Sequence, residues 1–182
     1  APGTYASVNG STACIACAAG YYTQQNGQSA CTACGNGTYN PSVGQSGCVL
    51  CSPGTDGNTT GLTICNDCDI GRYASIAGVA MCQSCDLGDA TQSRGQSACG
   101  HCSPGSYTNE TGQTLCRSCS VGSYQNQFAA SACLYCSNGT SASVNGLAAC
   151  NLCSAGSYTP NVGSTACLSC DLGTAQPNGG AA

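Results

Sequence analysis

The sequence predicts a small disulfide-rich repeat protein, an elongated solenoid-like rod of 17-residue units that is mostly coil, with short irregular β-hairpins and no helix of note. Three observations lead there. Twenty cysteines fall into ten C-x-x-C pairs at a constant spacing, Cys14 to Cys31 to Cys48 and so on to Cys167, with no insertion or deletion. A glycine stands at the third position after the second cysteine of every pair, and Gly3 opens the same series ahead of the first pair. Large apolar residues are scarce, with one Phe, one Met and no Trp in 182 residues. Ordering a 17-residue unit costs roughly 25 kcal/mol of conformational entropy. One Tyr and one or two aliphatic side chains per unit cannot offset that by burial. Covalent cross-links must supply the difference, and cysteine at about a tenth of the chain lies in the range of a disulfide scaffold. The chain reads as a single continuous array over 1–182, about ten units with a partial one at each end. Each unit is expected to touch only its neighbours.

Within the unit, C-x-x-C-x-x-G-x-Y-x-x-x-x-G-x-x-x, each fixed position has a physical reading. The first glycine, from Gly3 to Gly173, points to a positive φ or to a backbone approach that a Cβ would block. The second, from Gly10 to Gly180 with Ala129 as the exception, follows Asn at Asn9, Asn26 and Asn145, the dipeptide of tight hairpin turns. Tyr5, Tyr22, Tyr39, Tyr73, Tyr107, Tyr124 and Tyr158 then sit on a strand before that turn, ring against the disulfide and hydroxyl near solvent. Asp56, Ala90, Ser141 and Ala175 replace this Tyr, which predicts looser hairpins there. The C-x-x-C falls at the junction between hairpins. No segment has a helical apolar period, and the glycine spacing breaks any longer helix.

The cysteines can be reduced in three ways: each C-x-x-C closing on itself, the second cysteine of one pair bonding the first of the next, or two pairs sharing a metal. Loop entropy gives about 3 kcal/mol for a 15-residue loop and about 2 for a four-residue one, and small C-x-x-C loops are typical of redox-active sites. Both points favour the second pattern, which also staples the Gly-x-Tyr segment, while the other two stay open.

The segment Cys17-Ala18-Ala19-Gly20-Tyr21-Tyr22 through Cys31 resembles the opening half-module of tumour-necrosis-factor-receptor cysteine-rich domains. It is also similar to the tandem ephrin-receptor-like cysteine-rich repeats of extracellular, protist and algal surface proteins, and ciliate surface antigens share the C-x-x-C rhythm. The resemblance implies Cys17–Cys31 and, by repetition, Cys34–Cys48, Cys51–Cys65, Cys68–Cys82, Cys85–Cys99, Cys102–Cys116, Cys119–Cys133, Cys136–Cys150 and Cys153–Cys167. The chain departs from the receptor domains in using one module type throughout, so their ligand recognition does not carry over. Cys14 and Cys170 are left over. Their partners would fall just outside the sequence, so they are expected to bond either off this stretch of a longer array or between chains.

Zinc is the metal to weigh, because C-x2-C-x13-C-x2-C approaches a four-cysteine site. Thiolate sites would add negative charge to a chain with three basic residues and a net charge of −4, so no cofactor is expected. Catalysis has little to stand on. His101 is alone and reads as a solvated spacer, and Asp67 with Asp69 or Asp86 with Asp89 lack a nucleophile or cofactor loop. Arg72, Arg94 and Arg117 are too few to hold nucleic acid or an anionic membrane. No run has the length and apolarity of a membrane span.

Sequons at Asn9, Asn36, Asn58, Asn109 and Asn138 fall in expected loops or strand ends and predict covalent glycans. Together these readings predict an extracellular or cell-surface, non-enzymatic glycoprotein: a structural subunit of a filament or surface coat that associates with copies of its own array. The alternative is the stalk or binding module of a receptor or adhesin ectodomain, for which Tyr21, Phe128 and Tyr135 are the aromatics available to a binding face.

Overall fold

The computed structural model describes residues 1–174 and Gly179; Ala175 at the Tyr position and Gly180 at the second glycine lie outside the described residues. The fold is a disulfide-rich array of 17-residue β-hairpin units, with no helix among the described residues. Each hairpin is a two-stranded antiparallel sheet with two residues per strand. Thr4–Tyr5 pairs with Ile15–Ala16 in the register Thr4↔Ala16 and Tyr5↔Ile15, and the same register recurs in all ten hairpins.

The return strand is the pair of residues inside the C-x-x-C. The motif is therefore the second half of each hairpin and not a junction between hairpins. A long loop, Ala6 to Cys14 in the first copy, separates the strands, so the Asn-Gly dipeptides do not form two-residue hairpin turns. Such turns need positive φ at both residues. Here Gly10, Gly27 and Gly146 have it, but the only non-glycine residue that does, among those described, is Ala129.

The chain divides into two compact units, Ala1–Ser84 with Ser93–Cys99, and Cys85–Gln92 with Gly100–Ala182. The first holds five hairpins, from Thr4–Tyr5 to Gln83–Ser84. Its hairpins are stacked through main-chain hydrogen bonds. The Gly20 amide donates to the Asn40 carbonyl at 2.8 Å and the Gly37 amide to the Gly57 carbonyl at 2.8 Å. The Gly61 amide, in the loop of a later hairpin, donates to the carbonyl of Cys34 at 2.8 Å. The second unit holds five hairpins, from Asp89–Ala90 to Leu168–Ser169, with the same ladder: Gly105 donates to Gln125 at 2.7 Å and Gly163 to Cys136 at 2.7 Å.

Contacts are not confined to adjacent hairpins. A Cβ built on Gly3 or Gly20 would collide with the carbonyl oxygen of Gly44 or Gly61, in the second hairpin along, and one on Gly105 or Gly122 with that of Gly146 or Gly163. The missing Cβ at the first glycine lets the loop of the second hairpin along reach the backbone there. Both glycine series also carry positive φ throughout the described residues, with Ala129 in the same conformation at φ 53°.

Inside the stacks the core is cystine with small and polar residues. Cys17, Cys34, Cys51, Cys85, Cys119 and Cys136 are fully buried, and the position just after the repeat Tyr is buried in most copies too: Thr23, Asn40, Ala74, Thr108, Gln125, Ala142 and Thr159. Asn and Thr there bond a strand carbonyl of the preceding hairpin, Asn40 Nδ2 to Tyr21 at 2.9 Å and Thr159 Oγ1 to Thr140 at 3.4 Å, whereas Gln125 Nε2 bonds Ala132 of its own loop at 2.7 Å. Most large aliphatic side chains, including Val43, Ile64 and Leu152, lie on the surface.

The seven Tyr side chains of the repeat are half-buried, and Tyr5 and Cys31 line one recess. Hairpins lacking the Tyr keep the same strand pairing. Those carrying Asp56, Ala90 and Ser141 hold the common register, because backbone bonds, glycines and buried cysteines hold the stack. Both short polar replacements turn to a cysteine of a later repeat: Asp56 Oδ2 accepts from the Cys82 amide at 3.0 Å, and the Ser141 hydroxyl lies 3.5 Å from Cys167 Sγ.

Candidate functional site

Eighteen of the twenty cysteines are in disulfides, so they are not available as zinc thiolates. The structure joins Cys17 to Cys31, Cys34 to Cys48, Cys51 to Cys65, Cys68 to Cys82, Cys102 to Cys116, Cys119 to Cys133, Cys136 to Cys150 and Cys153 to Cys167. Cys85 and Cys99 are also disulfide-bonded. Cys14 and Cys170 have no disulfide partner within the chain, Cys14 exposed and Cys170 partly so. Among the described residues no three of His, Cys, Asp and Glu come together to hold a metal ion, and no helix is long and apolar enough to cross a membrane.

One aspartate of each pair in the sequence has a basic partner. Asp69 forms an ion pair with Arg94 at 3.1 Å, and Asp89 bonds His101 Nδ1 across the strands at 2.5 Å. His101 is therefore a cross-strand partner as well as an exposed residue. The aromatics outside the repeat position take separate places. Tyr21 lies over the turn glycine Gly61, with its ring 3.7 Å from a Cβ placed there, and Tyr135 lies over Gly163 in the same way at 3.2 Å. Phe128 stands exposed beside Ala129.

A cleft of the first unit opens where the repeat departs from its pattern. Asp56 occupies a Tyr position, and beside it lies a groove of about 630 Å³ that also receives Asp67, Asp69, Arg72 and Arg94. These are five of the ten charged side chains in the whole sequence. Asp56 is buried and tied to the amide of Cys82, while Arg72 Nη1 donates to the carbonyl of the same residue at 3.1 Å. Asn66 Nδ2 donates to Asn58 Oδ1 at 3.4 Å on the rim. The sequence marks Asp56 only as a missing Tyr. Arg94 comes from a later repeat, and only the stacking of hairpins brings the two into one groove.

The five sequon asparagines, Asn9, Asn36, Asn58, Asn109 and Asn138, are all exposed and lie in turns or loops.

Residues 3–38, 105–146 and 139–182, more than half of the chain, match the family model described as tyrosine-protein kinase ephrin type A/B receptor-like. No curated protein matches the chain.

Proposed function

The chain belongs to the ephrin type A/B receptor-like family, and from that premise we propose that it serves as the extracellular stalk of a cell-surface protein, a non-catalytic spacer that carries load and holds other parts away from the surface. The observation that carries this reading is the combination of disulfide and ladder. The disulfides enclose the first strand and loop of their hairpins at a sequence separation of 14, and main-chain bonds tie successive hairpins within each unit. Such a cross-link removes loop entropy from the unfolded chain and withholds the enclosed residues from extension. Disulfides persist in oxidising compartments, in keeping with an extracellular place. Exposure of Asn9, Asn36, Asn58, Asn109 and Asn138 supports covalent glycans on this surface, which would add solubility to a chain with a net charge of only −4.

The test is to raise antibodies against the oxidised chain and stain intact source cells, with glycopeptide mass spectrometry on the captured protein. Labelling of unpermeabilised cells with sugar at the sequons supports the stalk. Labelling seen only after permeabilisation overturns it, and five bare asparagines remove the glycan claim.

A second reading, the subunit of a filament or coat, is favoured by one observation: large apolar side chains such as Leu50, Phe128, Tyr135 and Leu152 are more than half exposed, a surface suited to lateral packing against further copies. Electron microscopy of native material separates the two, since fibres require the second reading.

A further inference from the structure

We infer that the groove beside Asp56, lined from three successive repeats, is a binding site for a neutral saccharide. This goes beyond the stalk reading and does not depend on it. At a position that keeps the Tyr, such as Tyr5, the side chain lines a recess together with Cys31. Asp56 is smaller and turns inward to the Cys82 amide, and the cleft of about 630 Å³ lies beside it. That volume falls within the range of small-ligand sites, roughly 300–1,000 Å³.

The ligand class follows from how the polar groups are already paired. Arg94 holds Asp69 at 3.1 Å, Arg72 holds the Cys82 carbonyl at 3.1 Å, and Asn66 holds Asn58 at 3.4 Å. Three carboxylates face two guanidiniums, so the groove is close to charge-balanced. An anionic ligand would meet three carboxylates, and a cationic one would meet Arg72 and Arg94 beside the carboxylate left over. A sugar hydroxyl has no such cost, because it donates to a carboxylate and accepts from a guanidinium or amide at once. Unused capacity remains in the Asp67 carboxylate, the other guanidinium donors of Arg72 and the Asn58 amide. Met81, exposed at the rim, offers an apolar surface to the C–H face of a ring. The saccharide can come from a separate molecule or from a glycan on Asn58 itself, whose side chain lines the groove.

The experiment titrates the full oxidised chain with N,N′-diacetylchitobiose, a mannose trisaccharide and a glucose trisaccharide, each to about 10 mM, read by saturation-transfer NMR and calorimetry. At least one should bind with a dissociation constant of about 1 mM or below. Loss of a charge-assisted hydrogen bond in Asp67→Ala or Arg94→Ala should weaken it about tenfold. Asp56→Tyr, which restores the residue usual in the repeat, should abolish it with disulfide content unchanged, and Arg117→Ala should leave it intact. If the Asn58 glycan is the occupant, protein glycosylated there takes up no free saccharide and Asn58→Gln does; if the ligand is separate, both forms bind. The inference is overturned if none of the three saccharides binds, if binding survives Asp56→Tyr and Asp67→Ala unchanged, or if a simple diamine binds in their place with the same sensitivity to these variants.

Discussion

Gly20 lies so close beneath the carbonyl oxygen of Gly61 that no side-chain carbon fits between them, although a whole hairpin intervenes in the sequence. Gly20 also has φ +84°, in the left-handed region. Gly20→Ala therefore meets two costs, about 1–2 kcal/mol for the backbone conformation and about 1–3 kcal/mol for forcing the hairpins apart. Gly27 separates them: its φ is +74°, but a Cβ there meets nothing within 4 Å. In denaturant titrations of the oxidised chain, Gly20→Ala should lose about 3 kcal/mol and Gly27→Ala about 1 kcal/mol. Equal losses would mean that the close approach contributes nothing.

Ala129 is the one place where the array breaks its own glycine rule. It holds φ 53° at the turn position that is glycine in the other described copies, and its carbonyl closes over Gly88 as the turn glycines close over theirs. The surroundings impose the conformation and the alanine bears the strain. Replacement by glycine removes about 1–2 kcal/mol of left-handed penalty and adds up to about 1 kcal/mol of chain entropy. Ala129→Gly should therefore stabilise the second unit by up to about 1 kcal/mol, read as a higher thermal midpoint or slower exchange of the backbone amide at position 129, which in Ala129 donates to the Cys102 carbonyl at 3.0 Å. An unchanged or lower midpoint contradicts this.

Asn40 is fully buried, with Nδ2 on the Tyr21 carbonyl at 2.9 Å and Oδ1 accepting from the Ser42 amide at 3.3 Å. Asn40→Ala leaves a void and strands two backbone groups, a loss of about 2–3 kcal/mol. At the equivalent position Thr23 makes a longer bond, 3.4 Å to the Thr4 carbonyl. Thr23→Val keeps the volume and should cost about 1 kcal/mol or less. The order of the two losses in chemical denaturation is the check.

That buried position was not legible in the sequence, and the reason is physical. Thr23, Asn40, Gly57, Ala74 and Gln125 share no residue type, only a fit to the space between hairpins and, for Thr23 and Asn40, reach to a carbonyl of the hairpin before. The glycine and cysteine series were legible because positive φ, close approach and cross-linking each admit one residue type. The return strand escaped notice because backbone pairing tolerates pairs as different as Ile15–Ala16, Gly100–His101 and Arg117–Ser118. The groove escaped for a different reason. Asp56, Arg72 and Arg94 belong to successive repeats, and their meeting depends on stacking and not on local spacing.

The last prediction concerns length under load. Cys51 and Cys65 are 5.7 Å apart at Cα, and only the residues from Cys65 to Cys68 lie between that disulfide and the next. At about 3.5 Å per residue the link adds about 10 Å, so a fully pulled oxidised repeat spans about 16 Å. Reduced, the same repeat reaches about 60 Å. If each C-x-x-C closed on itself instead, the oxidised repeat would still reach about 55 Å. Single-molecule pulling on the oxidised chain should therefore show a final contour of about 16 Å per repeat, rising almost fourfold with reductant. Alkylation of the 182-residue chain by itself, without reduction, should label Cys14 and Cys170 alone. An oxidised contour of about 55 Å per repeat would show that the cross-links do not enclose the hairpin loops, and with them would go the mechanical basis of a stalk.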